Sequence, residues 1–164
     1  MGGEGIVRTY KKRNTRFDTR YGPLAWASMA EFPAPNEGFV LTHFIVSSDV
    51  ARSAAFYTDV LGGEVVMEGE PTIVQVANSW VIINVGGGPT EDKPEVVLDV
   101  PDDPNRVSAF LNIRVADIQA CYEEWGSKGA EFLTPPQDRG AEIRCYMRDP
   151  DGHLIEVGQS TSSG

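Results

Sequence analysis

The sequence is short of the residues that build metal clusters, disulfide frameworks and membrane spans. It has 2 cysteines and 2 histidines in 164 residues, too few cysteines for a disulfide framework or a thiolate zinc site. No apolar run approaches the roughly 20 residues that a membrane-spanning helix needs. No apolar segment follows the first charged residues, as a secretory signal would require. These deficits predict a cytoplasmic protein without a membrane partner.

Positive charge is also scarce. The chain has 14 lysines and arginines against 24 aspartates and glutamates, a net charge of −10. An acidic body repels phosphate backbones, so nucleic acid is not an expected partner. Residues 1–38 hold several of the bases among many glycines and prolines and lack hydrophobic periodicity, which predicts an N-terminal extension. Residues 160–164 are small and polar, which predicts a tail.

Between these ends, the same order of elements occurs twice. Residues 41–46 alternate as a strand in which His43 and Ile45 share one face. Asp49 is a predicted N-cap, and the helix that follows ends at Gly62. The remaining predicted elements are strands at 64–67, 72–77 and 80–85, a strand from Ala109 to Val115, a helix capped by Asp117, and strands at 131–134, 142–148 and 153–157.

The repeat predicts an α+β fold of two strand–helix–three-strand modules. The first module spans about residues 39–88 and the second about residues 108–159. Residues 89–107 are rich in proline, glycine and aspartate and form the predicted linker. Together the modules make one predicted domain over residues 39–159.

Three segments resemble a known superfamily. They are the strand "LTHFIV" (41–46), the helix "FYTDVLG" (56–62) and the hairpin "RDPDGHLIEV" (148–157). Together they resemble vicinal-oxygen-chelate proteins, which include glyoxalases, bleomycin-resistance proteins and extradiol dioxygenases. The resemblance covers about residues 39–159. It implies paired βαβββ modules that form an open, curled mixed sheet around a cleft, and a homodimer.

The resemblance also implies a ligand set at the first and last strands of each module. These positions are His43, Asn84, Asn112 and Glu156. His43 and Glu156 match the metal-enzyme pattern, which implies a divalent metal ion of open identity and a catalytic role for Glu156. Asn112 stands where the family usually has a second histidine, and Asn84 stands where glyoxalases commonly have an acid. An amide oxygen is a weak neutral ligand. Metal binding is therefore left open.

Further side chains are predicted to bind the substrate. A two- or four-residue turn between the last two strands would place Cys145 opposite Glu156 and Met147 opposite Leu154, on the pocket wall. Amide side chains in the strands could hydrogen-bond a substrate oxygen. The full predicted substrate-binding set is Asn84, Asn112, Gln75, Cys145 and Met147.

Two functions remain open at this point. One is a glyoxalase-like, metal-dependent lyase or isomerase that acts on a small substrate with adjacent oxygens, where the metal polarises a carbonyl. The other is a non-catalytic protein of the bleomycin-resistance type, which binds or sequesters a small molecule. Retention of His43 and Glu156 favours the enzyme, and the two asparagines favour the binding protein.

Overall fold

The computed structural model describes Phe32 and residues 39–161. Apart from Phe32, the predicted N-terminal extension lies outside the described residues, as do residues 162–164 of the predicted tail. Neither helix of the described part has the length and apolar character needed to cross a bilayer.

The elements of the first module are β1 (His43–Val46), α1 (Val50–Ala55), β2 (Glu64–Met67), β3 (Thr72–Val76) and β4 (Ser79–Asn84). A π-helical turn, Phe56–Val60, continues α1. The strands form a four-stranded mixed sheet in the order β1-β4-β3-β2. Strand β1 runs parallel to β4, and the other neighbours are antiparallel.

The elements of the second module are β5 (Leu111–Arg114), α2 (Ile118–Ser127), β6 (Glu131–Phe132), β7 (Gln137–Asp138), β8 (Glu142–Arg148) and β9 (Leu154–Ser160). The module repeats the arrangement of the first, with β5 parallel to β9 and the strand order β5-β9-β8-β6. The short strand β7, which the sequence did not indicate, also pairs with β8. The predicted α+β class with open mixed sheets is confirmed.

Both predicted helix caps are confirmed. The Asp49 carboxylate accepts a hydrogen bond from the Arg52 backbone nitrogen at 3.0 Å, and the Asp117 carboxylate accepts one from Ala120 at 2.9 Å. Each cap satisfies a backbone donor that the first helical turn leaves without a partner. The two helices therefore begin where the sequence predicts.

Each helix covers one face of its own sheet. Strand residues on the covered faces join helix residues in one hydrophobic core, which runs through both modules. These strand residues are Ile45, Val74, Val81, Ile83, Cys145, Met147, Ile155 and Val157. We call the opposite side of each sheet its helix-free face. By register it carries Phe44, Gln75, Trp80, Ile82 and Asn84 in the first sheet, and Asn112, Arg114, Arg144, Tyr146, Glu156 and Gly158 in the second.

A buried carboxylate in the β8–β9 turn joins the two modules. Asp151 accepts hydrogen bonds from the hydroxyls of Ser47 at 2.7 Å and Ser53 at 2.6 Å, beside β1 and in α1. It also accepts from the Ser48 backbone nitrogen and hydroxyl and from the Arg52 guanidinium. We call Asp151 and these four donor residues the turn clamp.

The turn clamp lowers the pKa of Asp151. Burial alone would raise the pKa of Asp151, but hydrogen bonds from the serines outweigh it and hold that pKa well below its ordinary value. In the same turn, His153 Nε2 lies 2.7 Å from the Val46 carbonyl oxygen. The hairpin of β8 and β9 is thereby fixed against the β1–α1 junction of the first module.

Candidate functional site

Glu156 lies in the middle of β9 and is only 6% exposed. By register it stands between Asn112 on β5 and Tyr146 on β8. Asn112 Nδ2 donates to Glu156 Oε1 at 2.5 Å, and the Tyr146 hydroxyl donates to Oε2. We call these three residues the Glu156 rung. Its neighbours on both sides fix the carboxylate in one orientation on the helix-free face.

The Glu156 rung favours the neutral form of Tyr146. Its hydrogen bond to Glu156, then burial and the charge of Glu156, raise the pKa of the phenol above its ordinary value. A phenol is already un-ionised at neutral pH, so the hydroxyl is a donor there. The Phe110 ring meets the Tyr146 ring edge to face, with centroids 6.2 Å apart, so an exposed aromatic surface borders the rung.

His43 faces the other side of its sheet. It pairs with Val81 and shares its face with Ile45, and both of those side chains belong to the core beneath α1. Burial, followed by the nearby His153, lowers the pKa of His43. The structure thus places His43 on a covered face and Glu156 on a helix-free face, and it does not bring the two side chains together.

The predicted register of β8 and β9 is wrong by one residue. Cys145 pairs with Val157, and Met147 pairs with Ile155. Both side chains are buried in the core beneath α2, with exposures of 1% and 0%. Burial, and then the neighbouring Cys121, raise the pKa of the Cys145 thiol to about 11. Neither residue lines the face that carries Glu156.

The physical reason for this correction is the length of the turn. Residues 149–153, five in number, separate the paired residues Arg148 and Leu154. An odd number of turn residues exchanges the two faces of β8 relative to β9, because successive side chains point to opposite sides. Tyr146, rather than Cys145, therefore takes the place opposite Glu156. The composition of the turn does not give this parity, so the sequence alone did not assign that place to Tyr146.

The remaining predicted residues lie on the helix-free face of the first sheet. Asn84 stands opposite Val46, and Gln75 stands opposite Trp80. Asn84 Oδ1 accepts a hydrogen bond from the Val85 backbone nitrogen at 2.9 Å. Trp80 is contacted edge to face by Phe32, with ring centroids 5.6 Å apart. This face is more apolar than the one that carries Glu156.

The donors around Glu156 do not fit a divalent metal centre. In residues 39–161, no group of three or more histidine, cysteine, aspartate or glutamate side chains is placed to hold a metal ion. The two groups beside the carboxylate are a neutral amide and a phenol, and both already donate to it. Zinc sites use several imidazole, thiolate or carboxylate ligands, and Ca²⁺ or Mg²⁺ sites use several acceptor oxygens, whereas these two groups turn N–H and O–H donors to the carboxylate. No metal-dependent step is therefore derived at this site.

Comparisons with known proteins place this geometry in a family. The chain is 27% identical over 118 residues to the metallothiol transferase FosB of Shouchella clausii (strain KSM-K16), a match that covers 70% of this chain and 75% of that protein. Among solved structures it is similar to a glyoxalase/bleomycin resistance protein/dioxygenase from Nocardioides, with a TM-score of 0.64, 18% identity and coverage of 80% and 89% of the two chains.

A second solved structure agrees. The fosfomycin resistance protein FosX of Listeria monocytogenes matches with a TM-score of 0.57 and 17% identity, covering 76% of this chain and 95% of that one. At these identities the two structures show a shared fold. The family model described as Glyoxalase/Bleomycin resistance protein/Dioxygenase superfamily matches residues 39–157, which confirms the resemblance seen in the strand, helix and hairpin motifs. The chain therefore belongs to the Glyoxalase/Bleomycin resistance protein/Dioxygenase superfamily.

Proposed function

We propose that this protein binds a small organic molecule on the helix-free face of its second sheet, where the Glu156 carboxylate accepts a hydrogen bond from a hydroxyl or amine of the ligand. The observation that carries the proposal is the Glu156 rung: a nearly buried carboxylate in mid-strand, on a face without a helix, held by Asn112 and Tyr146.

The energetics of burial support this role. A carboxylate removed from water costs free energy unless hydrogen bonds replace its hydration. An ionised carboxyl group has about four acceptor positions, and Asn112 and Tyr146 use one on each oxygen. A ligand donor at the remaining positions would complete the shell. The aromatic edge of Phe110 beside Tyr146 suits a ligand that contains a ring.

A competing proposal is a metal-dependent lyase or isomerase that acts on a substrate with adjacent oxygens. Its support is the relative from Shouchella clausii, a metallothiol transferase, together with the retained Glu156. The donor set around Glu156 argues against it, because the two neighbours are a neutral amide and a phenol. We therefore favour the binding function.

The binding proposal is tested with a neutral phenol as the probe. We expect saturable binding of 4-hydroxybenzamide to the wild type by isothermal titration calorimetry. Glu156→Gln should weaken this affinity about tenfold or more, because it removes a charged acceptor. Glu91→Gln, a change of the same chemistry in the exposed linker, should leave it unchanged. Equal affinities for wild type and Glu156→Gln, or the absence of saturable binding both of this probe and of its anionic counterpart 4-hydroxybenzoate, would overturn the proposal.

Metal analysis separates the two proposals. Protein purified without chelators is assayed by mass spectrometry for bound divalent metals, as wild type and as Glu156→Gln. The binding function predicts far less than one metal ion per chain in both proteins. About one ion per wild-type chain, lost in Glu156→Gln, would favour the metal-dependent enzyme.

We also propose that the protein is a homodimer. Strands β1 and β5 are sheet edges, and apolar side chains before β1 are strongly exposed, with Phe39 at 87% and Leu41 at 80%. Exposed apolar patches beside open strand edges are typical of protein interfaces. Sedimentation equilibrium should give twice the 17.9 kDa chain mass, and Leu41→Asp should dissociate the dimer, whereas Val97→Asp in the linker should not. A wild-type monomer at all concentrations would contradict this.

A further inference from the structure

The rung next to the Glu156 rung carries positive charge. By register, Arg114 on β5, Gly158 on β9 and Arg144 on β8 form one row across the second sheet. Each of them is two positions along its strand from a member of the Glu156 rung. Because side chains alternate between faces, both rows lie on the same helix-free face. We call this row the arginine rung.

The glycine in the row gives one of the arginines its position. A Cβ atom at Gly158 would lie 2.2 Å from Arg114 Nη1 and 2.9 Å from its Cζ. The Arg114 guanidinium therefore lies across the sheet in space that any other residue at position 158 would fill. This close approach holds the group above β9, where its Nη1 also donates to Glu142.

One carboxylate, that of Glu142, forms ion pairs with both guanidinium groups. Glu142 accepts from Arg114 Nη1 at 2.8 Å and from Arg144 Nη1 at 3.0 Å. These three groups together carry one net positive charge, and the Glu156 carboxylate lies in the next row of the same face. Each guanidinium has five N–H donors, and most of those of Arg114 and Arg144 are not used by Glu142. The cluster therefore has both the charge and the donors to receive an oxyanion.

We infer that the ligand of this face is an organic carboxylate whose carboxylate group binds the arginine rung while its hydroxyl or amine group donates to Glu156. The inference rests on the proposed binding function and names the ligand class. Arginine suits this role because its planar donors match the geometry of a carboxylate.

The strand repeat sets the size of such a ligand. A strand rises about 3.3 Å per residue, so rows two residues apart are separated by roughly 6.6 Å. The donor group and the carboxylate must lie at opposite ends of a short, rigid molecule. A ring with the two groups in para positions meets this requirement and can lie against the Phe110 and Tyr146 rings.

Three probes test the inference by isothermal titration calorimetry at low ionic strength. They are 4-hydroxybenzoate, its neutral counterpart 4-hydroxybenzamide, and 2-hydroxybenzoate, whose two groups are adjacent. We expect 4-hydroxybenzoate to bind the wild type about tenfold more tightly than either of the others, as a charge-assisted contact requires. Arg114→Gln should reduce the preference for benzoate over benzamide to less than about twofold.

Two further variants test whether the preference for benzoate depends on Arg114 itself. Arg106→Gln removes an equal charge from the exposed linker and should preserve the preference. Gly158→Ala should remove it, because the new Cβ displaces the Arg114 guanidinium. The Arg114 side chain is 48% exposed, so Arg114→Gln should remain folded, and unfolding curves of the variants confirm this.

The outcomes separate this inference from the function on which it rests. Equal wild-type affinities for 4-hydroxybenzoate and 4-hydroxybenzamide would overturn the ligand class, and the binding function would still stand if Glu156→Gln weakened both. An unchanged preference in Arg114→Gln, or equal binding of 2-hydroxybenzoate, would also overturn it. Saturable binding of neither para probe would overturn the inference and the proposed function together.

Discussion

Two carboxylates at one hairpin, Asp151 and Glu156, are held in different ways. The Asp151 side chain is 2% exposed, and its donors come from four residues of the other module, through both side chains and backbone. Glu156 is nearly as buried but has two donors, both from neighbouring strands of its own sheet. A fully surrounded carboxylate joins parts of a protein, whereas a partly surrounded one retains capacity for a ligand.

Their positions agree with this difference. Asp151 lies in the β8–β9 turn of the second module, where it meets Ser47 and Ser53 of the first module. Glu156 lies on a helix-free face beside the arginine rung. We therefore expect a change at Asp151 to act on the stability of the fold and a change at Glu156 to act on ligand binding. Each prediction below tests that separation.

The largest effect is expected from Asp151→Asn. This change removes the charge from a buried carboxylate and leaves at least one clamp donor without an acceptor, which should lower the free energy of unfolding by about 3 kcal/mol. Urea unfolding followed by far-UV circular dichroism measures it. Asp102→Asn, in the exposed linker, is the control and should change stability by less than about 0.5 kcal/mol. A similar small change for Asp151→Asn would contradict the role of the clamp.

A smaller effect is expected from pH. The pKa of Asp151 is lower in the folded protein than in the unfolded chain, where aspartate titrates near about 3.9. Its contribution is therefore fully present above that value and is lost as pH falls through the folded pKa. The stability difference between wild type and Asp151→Asn should shrink as pH is lowered from about 5 to about 2. A difference that stays constant over this range would show that the charge of Asp151 is not what stabilises the fold.

The smallest effect on stability is expected from Glu156→Gln. Glutamine keeps the shape of the side chain, and the Tyr146 hydroxyl can rotate to accept from the new amide, so stability should change by less than about 1 kcal/mol. Ligand affinity should nevertheless fall as described for the phenol probe. A loss of stability as large as that of Asp151→Asn would make Glu156 a structural residue and remove the contrast between the two carboxylates.

The sequence predicted the order of elements and both helix caps, because alternation, capping residues and glycine stops are local signals, and the family resemblance implied the mixed sheet. It did not predict which face each strand turns to the core. The alternation of β1 puts His43 and Ile45 on the same face, and a helix covers that face, where Ile45 is part of the core. The sequence pattern therefore already indicated that His43 faces the core. The resemblance to metal enzymes outweighed this signal.

In the second sheet, too, the sequence did not predict which strand face turns to the core. Proline and glycine in residues 149–153 identify a turn, but composition does not fix whether its length is odd or even. That parity decides whether Cys145 or Tyr146 faces Glu156. The turn clamp was beyond sequence reasoning for a different reason, since it joins Asp151 to serines about a hundred positions away in the chain.

The central claim is that ligand binds on the helix-free face around Glu156, and an NMR titration of ¹⁵N-labelled protein with 4-hydroxybenzoate tests it most directly. The account predicts that the signals of the Asn112 side-chain amide and of the Tyr146, Glu156 and Gly158 backbone amides change chemical shift in a saturable way. The backbone amide signals of the turn clamp and of the core beneath α1 should not change. Saturable shifts confined to His43 and the core beneath α1, with none at Asn112 or Glu156, would contradict it.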